Sequence, residues 1–202
     1  MTRKFEGQEL VLATQNKGKL KELKALLAKK GLDIDVKTTG DFPELESPEE
    51  TEDNLLGNAL IKAKYVSEKT GKVVISDDSG LCIDALDNAP GVYSADWAET
   101  ENGRDFNMAM NKVKELLKMS DNKKANFTTC LVLCWPDGHY ETVEGKVFGE
   151  IVFPPRGTGG FGYDPIFQPD GFDITFGEMA VEEKNKLSHR ANALELMLDK
   201  CF

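Results

Sequence analysis

Asp77 and Asp78 follow the apolar Val73-Val74-Ile75 with only Ser76 between. Carboxylates at the end of a buried strand are well placed to hold a hard divalent cation such as Mg²⁺. Side chains alternate along an extended chain, so the two aspartates point in opposite directions, one toward a ligand and the other toward the groups behind it. An Asx-type turn leading into Gly80 accounts for the same residues without a ligand. Upstream, Glu50, Asn54, Asn58 and Lys62 recur at i, i+4 spacing, which on one helix makes a slanting polar strip apart from a Leu/Ala face. There, too, Glu50 reads equally well as half of a capping box and Lys62 as a solvated end. The segment Thr14-Gln15-Asn16-Lys17-Gly18-Lys19 carries small polar side chains and two lysines into a run with Leu20, Leu23, Leu26 and Leu27 at helical spacing. A helix start of that kind, with free backbone N–H groups, seats phosphate. The plain alternative is a turn with solvated lysines.

Two further stretches have unusual composition. Residues 156–164, Arg-Gly-Thr-Gly-Gly-Phe-Gly-Tyr-Asp, place four glycines within six positions. Such a backbone approaches a ligand closely, and Phe161 and Tyr163 are aromatics suited to a nucleobase. The spacing matches neither a G-x-x-x-x-G-K-[ST] phosphate loop nor G-x-G-x-x-G. Pro154-Pro155 before it and Asp164-Pro165 after it favour a defined path over a flexible loop. Lys184 and Ser188-His189-Arg190 lie near a last helix. An Arg beside a His offers donors to carbonyl or phosphate oxygen, although a lone His is more often structural.

The elements that must position these groups follow from pattern. A strand is expected over 10–13, a helix to about residue 30, and a second strand over 33–38. Ser47 as N-cap, Pro48 at the first helical position and Glu50 predict a helix from 47 to about 69. A short strand over 73–75 precedes the acidic pair, and a second apolar run follows over 81–86. A turn is expected at Pro90-Gly91 and a helix over 102–119. Two antiparallel strands, 127–135 and 139–148, are joined at Pro136-Asp137-Gly138. A last helix runs over 188–200. Mixed βα units and a hairpin predict an α/β fold with a mixed sheet, in a single domain over 1–202.

Composition narrows the partners. The net charge of −10 opposes binding to nucleic acid or anionic membranes, so a polyanionic ligand needs a local cluster of cations, with or without a metal. Cys82, Cys130, Cys134 and Cys201 lie at no metal-ligand spacing, and Cys130 and Cys134 fall on one side of a strand as packed residues. The first residues lack the apolar run of a secretory signal and no stretch is long enough to span a bilayer, so a reduced, cytoplasmic protein is expected.

Taken in order, these segments resemble the inosine/xanthosine triphosphate pyrophosphatases, over residues 10–198. The likeness rests on Ala13-Thr14-Gln15-Asn16-Lys17-Gly18-Lys19, Glu49-Glu50-Thr51 with Asn58-Ala59 and Lys62-Ala63, and Ser76-Asp77-Asp78-Ser79-Gly80-Leu81. It extends through Pro90-Gly91-Val92-Tyr93-Ser94-Ala95, residues 157–165, and Glu183-Lys184 with Ser188-His189-Arg190. The resemblance implies an elongated α/β molecule with two lobes flanking a central cleft, usually a homodimer, acting on deaminated purine nucleoside triphosphates. It implies that Thr14, Asn16 and Lys19, with the intervening Gln15, Lys17 and Gly18, hold the triphosphate. Glu50 and Asp78 would hold Mg²⁺, and Ser79 would touch substrate. Phe161, Gly162, Tyr163, Asp164, Lys184, His189 and Arg190 would form the nucleotide pocket. Gln15 occupies a variable slot, and Leu55 stands where an aromatic is common.

Cleavage between the α- and β-phosphorus atoms demands charge neutralisation and an aligned water. Lys19 and Lys62 are expected to stabilise the departing pyrophosphate, and Asp78, or Asp77 beside it, to accept the water's proton. Arg190 only donates, so it suits the 6-oxygen of hypoxanthine or xanthine and mismatches adenine. Two alternatives are a nucleotide-binding regulator without catalysis and a phosphatase forming an aspartyl-phosphate on Asp77 or Asp78.

Overall fold

A computed structural model describes residues 2–202. Its order begins β1 (Glu9–Leu12), α1 (Lys17–Lys29), β2 (Asp35–Thr38), α2 (Leu55–Thr70) and β3 (Val74–Ile83). A small hairpin follows, β4 (Glu99–Thr100) and β5 (Gly103–Arg104), then α3 (Phe106–Leu116), β6 (Lys124–Cys134) and β7 (Tyr140–Ile151). The chain ends with β8 (Phe167–Pro169), α4 (Val181–Leu187) and α5 (His189–Cys201). Six strands form one sheet in the order β2-β1-β3-β6-β7-β8. β1 runs parallel to β2 and β3, and β7 antiparallel to β8, so the sheet is mixed, as expected. The chain divides into two compact units: residues up to 78 with 129–145 and 190–202, and residues 79–128 with 146–189.

In the first unit β1 is covered on both faces, which is why its sequence is uniformly apolar. Leu10 and Leu12 pack with Leu23 and Leu27 of α1 and with Leu194, Met197 and Leu198 of α5. Val11 faces the other way, onto Val66 and Val74. Each fully buried leucine here contributes about 1.5–3 kcal/mol. α2 lays Ala59 and Ala63 against Val132 and Cys134 of β6, small residues that let helix and sheet approach closely. Its end is marked by Gly71 in the left-handed conformation. The turn between β6 and β7 is closed by the Trp135 N–H to the His139 carbonyl at 2.9 Å.

The second unit has its own core, in which Leu81 and Ile83 of β3 meet Val113 of α3, Phe127 of β6 and Phe167 of β8. The helix expected over 102–119 is shorter at its start, because Thr100 and Gly103 pair in the hairpin and Asp105 supplies the cap. The Asp105 Oδ1 accepts from the amides of Asn107 and Met108. Gly80 lies against the 91–94 turn, where a Cβ would collide with the Gly91 carbonyl. That turn is tied to β3 through the Ser94 hydroxyl, which accepts from the Leu81 amide (2.9 Å) and donates to the Gly91 carbonyl (2.6 Å). Among the described residues no disulfide forms, and Cys130, Cys134 and Cys201 are buried.

Candidate active site

The end of β1 and the start of α1 form a self-bonded loop. The Thr14 Oγ1 accepts from the Asn16 amide at 3.2 Å. The Asn16 Oδ1 then caps α1, accepting from the amides of Gly18 (2.8 Å) and Lys19 (3.3 Å). This corrects the expectation of free backbone N–H groups, since two of them are given to the Asn16 side chain. The side-chain groups left for an anion are the Thr14 hydroxyl hydrogen, the Asn16 Nδ2 and the lysines. Gln15, Asn16, Lys17 and Gly18 are exposed, and Lys19 turns inward.

Lys19 reaches Asp77, its Nζ donating to both carboxylate oxygens at 2.9 and 2.7 Å. β3 is continuous through Ser76-Asp77-Asp78-Ser79-Gly80, which rules out the Asx turn. Because the segment is a strand, Asp77 and Asp78 project to opposite faces and meet different lysines. Asp77 is 6% exposed. Burial pushes its carboxyl up, but the charges of Lys19, Arg190 and Lys62 outweigh that and hold it below the ordinary carboxylate range.

Asp78 meets Lys62, whose Nζ donates to Asp78 Oδ1 (3.4 Å) and Glu50 Oε2 (3.1 Å). Burial raises the Asp78 carboxyl, Lys62 only partly opposes this, and the negative charges of Glu50 and Asp77 add to it, so it is pushed up to about 6.

Glu50 arrives at this position by a route other than the expected one. α2 begins at Leu55, not after Ser47, because Asn54 is the N-cap and its Oδ1 accepts from the Gly57 amide at 2.8 Å. Ser47, Pro48 and Glu50 lie in irregular chain, so neither the capping box nor the helical strip exists. Buried Asn58 secures the approach by accepting from the Glu52 amide at 2.9 Å. Glu50 therefore meets Lys62 through a loop folded back along α2, across twelve residues.

Arg190 joins the same unit. Its Nε donates to Glu22 Oε2 at 2.7 Å. The other Glu22 oxygen is buried and has no hydrogen-bond partner among the described residues. Glu22 was not singled out in the sequence, although it sits three residues after Lys19, on the same side of α1.

The remaining candidates belong to the second unit, which holds Ser79 half-buried on β3. The glycine-rich loop is tightly held. The Gly159 amide donates to the Gly177 carbonyl (2.9 Å) and the Phe161 amide to Asp164 Oδ2 (2.5 Å). Asp164 is buried and ion-paired with Lys184, whose Nζ also lies 5.3 Å over the Phe176 ring. Gly160 has φ +77°, and a Cβ there would strike the Asp164 carboxylate. Tyr163 turns inward, 2% exposed, its hydroxyl donating to the Ser94 carbonyl at 2.9 Å. Burial and the nearby charge of Asp96 raise its phenol above the ordinary range. Phe161 faces solvent at 72% exposure. His189 stacks on Phe127, with centroids 5.1 Å apart and planes at 16°.

Among the described residues no three His, Cys, Asp or Glu side chains gather as a metal cluster. Two carboxylates are nevertheless enough for Mg²⁺, which takes one or two from protein and completes its shell with phosphate and water. Glu50 and Asp78 already enclose a cation, the Lys62 ammonium, so their hard oxygen donors fit such an ion.

The Ham1 family profile matches residues 10–200. The chain is 52% identical to the dITP/XTP pyrophosphatase of Ruegeria pomeroyi over 205 residues, which span 100% of this chain and 99% of that protein. It is 48% identical to the dITP/XTP pyrophosphatase of Zymomonas mobilis, covering 99% of this chain and 95% of the other. The solved structure of a HAM1 protein from Coxiella burnetii matches with a TM-score of 0.87 at 37% identity, over 95% of this chain and 96% of that one. The Staphylococcus aureus Ham1 protein matches with a TM-score of 0.86 at 32% identity, over the same shares.

Proposed function

The chain belongs to the Ham1 family, and from that premise we propose that it hydrolyses deaminated purine nucleoside triphosphates (dITP, ITP and XTP) to the monophosphate and pyrophosphate. The observation that carries this reading in residues is the contact of Lys62 with both Glu50 and Asp78, beside the Lys19–Asp77 pair. An ammonium has three donors. Lys19 gives two bonds to Asp77 oxygens and Lys62 contacts two carboxylates, which leaves each an N–H for phosphate oxygen. Thr14 and Asn16 add neutral donors at the start of α1.

Glu50 and Asp78 are the residues that would hold Mg²⁺. When bound, the ion supplies neutralisation of phosphate charge and a more acidic water. Asp78 is the proton acceptor in this reading, and in the metal-free protein burial raises its carboxyl to about 6. Asp77 is a positioning group that orients Lys19. Its burial and its two hydrogen bonds from Lys19 disfavour an aspartyl-phosphate on Asp77. We assign the purine base to the residues around Phe161, with Lys184 and His189 as further contacts, and carry Arg190 separately as a candidate specificity residue. Arg190 as a pure donor favours a 6-oxo purine over adenine, a mismatch costing about 1–3 kcal/mol. The enzyme is further read as a cytoplasmic homodimer with no nucleic-acid or membrane partner. Among the described residues no helix is long and apolar enough to cross a membrane.

The testing experiment is a substrate panel with Mg²⁺ that scores pyrophosphate against orthophosphate. Pyrophosphate release from dITP, ITP and XTP, at least about ten-fold faster than from dATP, is expected. Orthophosphate as the main product, or dATP cleaved as fast as dITP, would overturn the reading.

The Asp78 carboxyl sets a pH limit on metal binding. It must be ionised to ligate a cation, so Mg²⁺ affinity in the absence of nucleotide should weaken about ten-fold per pH unit below about 6 and level off above 7. Calorimetric titrations at pH 5, 6, 7 and 8 check this. A constant affinity across that range would remove Asp78 from the metal site.

A further inference from the structure

Phe161 is the exposed aromatic of the glycine-rich loop, flanked by Gly160 and Gly162 at φ +77° and +68°. A side chain between two such glycines has little backbone support of its own. Its amide is anchored on Asp164, but that contact does not orient the ring. The ring meets Phe106 edge-on, with centroids 5.0 Å apart and planes at 67°. Phe106 also meets the Tyr163 ring at 5.5 Å and 81°, and its Cε1 lies 3.4 Å from where a Gly162 Cβ would be. It thus supports three consecutive loop residues. It is the first residue of α3, directly after the Asp105 cap, and packs half-buried against the core of the second unit.

We infer that Phe106 is a positioning residue for nucleobase binding: it holds the Phe161 ring at the angle at which a purine stacks on its free face. The inference rests on the proposed purine triphosphate reading and deepens it. Edge-to-face contact occupies at most one face of the Phe161 ring, and at 72% exposure the ring has a face left for stacking. A stacking ring selects for ring area, so its loss should weaken purine binding and leave the phosphate groups held as before.

The test uses Phe106→Leu and Phe106→Met, two apolar replacements without a ring, with Phe106→Tyr as the conservative control and Phe161→Ala as reference. Both ringless variants are expected to raise KM for dITP about five-fold, with kcat within about two-fold. Inhibition by inorganic tripolyphosphate, which has no base, should be unchanged, and Phe106→Tyr should restore KM. In Phe106→Leu/Phe161→Ala the KM should match Phe161→Ala alone, since Phe106 acts through Phe161. A normal KM in both ringless variants beside a defective Phe161→Ala overturns the positioning role alone. Weakened tripolyphosphate inhibition, or additive defects in the double variant, also overturns it. A normal KM in Phe161→Ala overturns both this role and the assignment of Phe161 to the base.

Discussion

Replacing Asp78 with Asn is expected to lower kcat for dITP at saturating Mg²⁺ by about 10³-fold and, at the same time, to make the protein more stable. The first effect follows from losing the proton acceptor, since a general base contributes about 10²–10⁴-fold and an amide cannot replace it. The second follows from burial. The folded-state pKa of Asp78 lies near 6, above the ordinary 3.8. The native state therefore binds more protons than the unfolded chain between those values, and stability falls as pH rises through that window. At about 1.4 kcal/mol per pH unit, ionising Asp78 costs about 3 kcal/mol by pH 7. Asn removes that charge, and after the lost contact to Lys62 a net gain of about 1–2 kcal/mol is expected at pH 7. Urea unfolding and pyrophosphate release measured on the same preparation separate the outcomes. A variant both inactive and less stable would make Asp78 a structural residue, and one that keeps full turnover would remove it from catalysis.

Lys19→Met should have the opposite signature on stability. Asp77 is buried, and its carboxyl is held below the ordinary range only because Lys19, Arg190 and Lys62 outweigh the cost of burial. A depressed carboxyl contributes stability above the unfolded-state pKa and loses it as pH falls through the folded one. Methionine keeps the stem volume and removes the charge and both hydrogen bonds. Leaving a buried carboxylate without its main partner costs about 3–5 kcal/mol. The Asp77 carboxyl then rises above its unfolded-state value, so the deficit should be greatest at pH 7 to 8 and shrink toward pH 5. Adding Asp77→Asn to Lys19→Met should recover part of the loss, since no buried charge remains. Urea midpoints at pH 5 and 7.5 for the single and double variants check this. An unchanged midpoint at both pH values would mean the pair holds nothing together.

Local chemistry made much of this molecule legible. Residues 10–13 read as a buried strand, and β1 is enclosed on both faces. The leucines after Lys19 read as a helix face, and Leu23 and Leu27 are buried in α1. Alternation along an extended chain set Asp77 and Asp78 in opposite directions, and left open which of the two accepts the proton. The order of the motifs carried the family. Where the reading went astray, folding overrode a local signal. Ser47-Pro48-Glu50 reads as a helix start, but the chain places the start at Asn54 because the loop folds back, with the Glu52 amide on Asn58 and Glu50 on Lys62.

Tertiary structure alone decided the partners. Arg190 and Glu22 are 168 residues apart, Lys19 and Asp77 are 58, and no periodicity couples positions at those separations. His189 and Arg190 are neighbours in sequence yet belong to different compact units. The two aromatics of one loop also part ways, Tyr163 into a core that satisfies its hydroxyl and Phe161 into solvent against Phe106. Sequence by itself determined which groups carry charge and where most strands and helices lie, because those depend on residue type and near neighbours, whereas the starts of α2 and α3 did not follow from it. Burial and the charges brought close by folding determined what each group does, and they are why one of two adjacent aspartates lies below the ordinary carboxylate range and the other near 6.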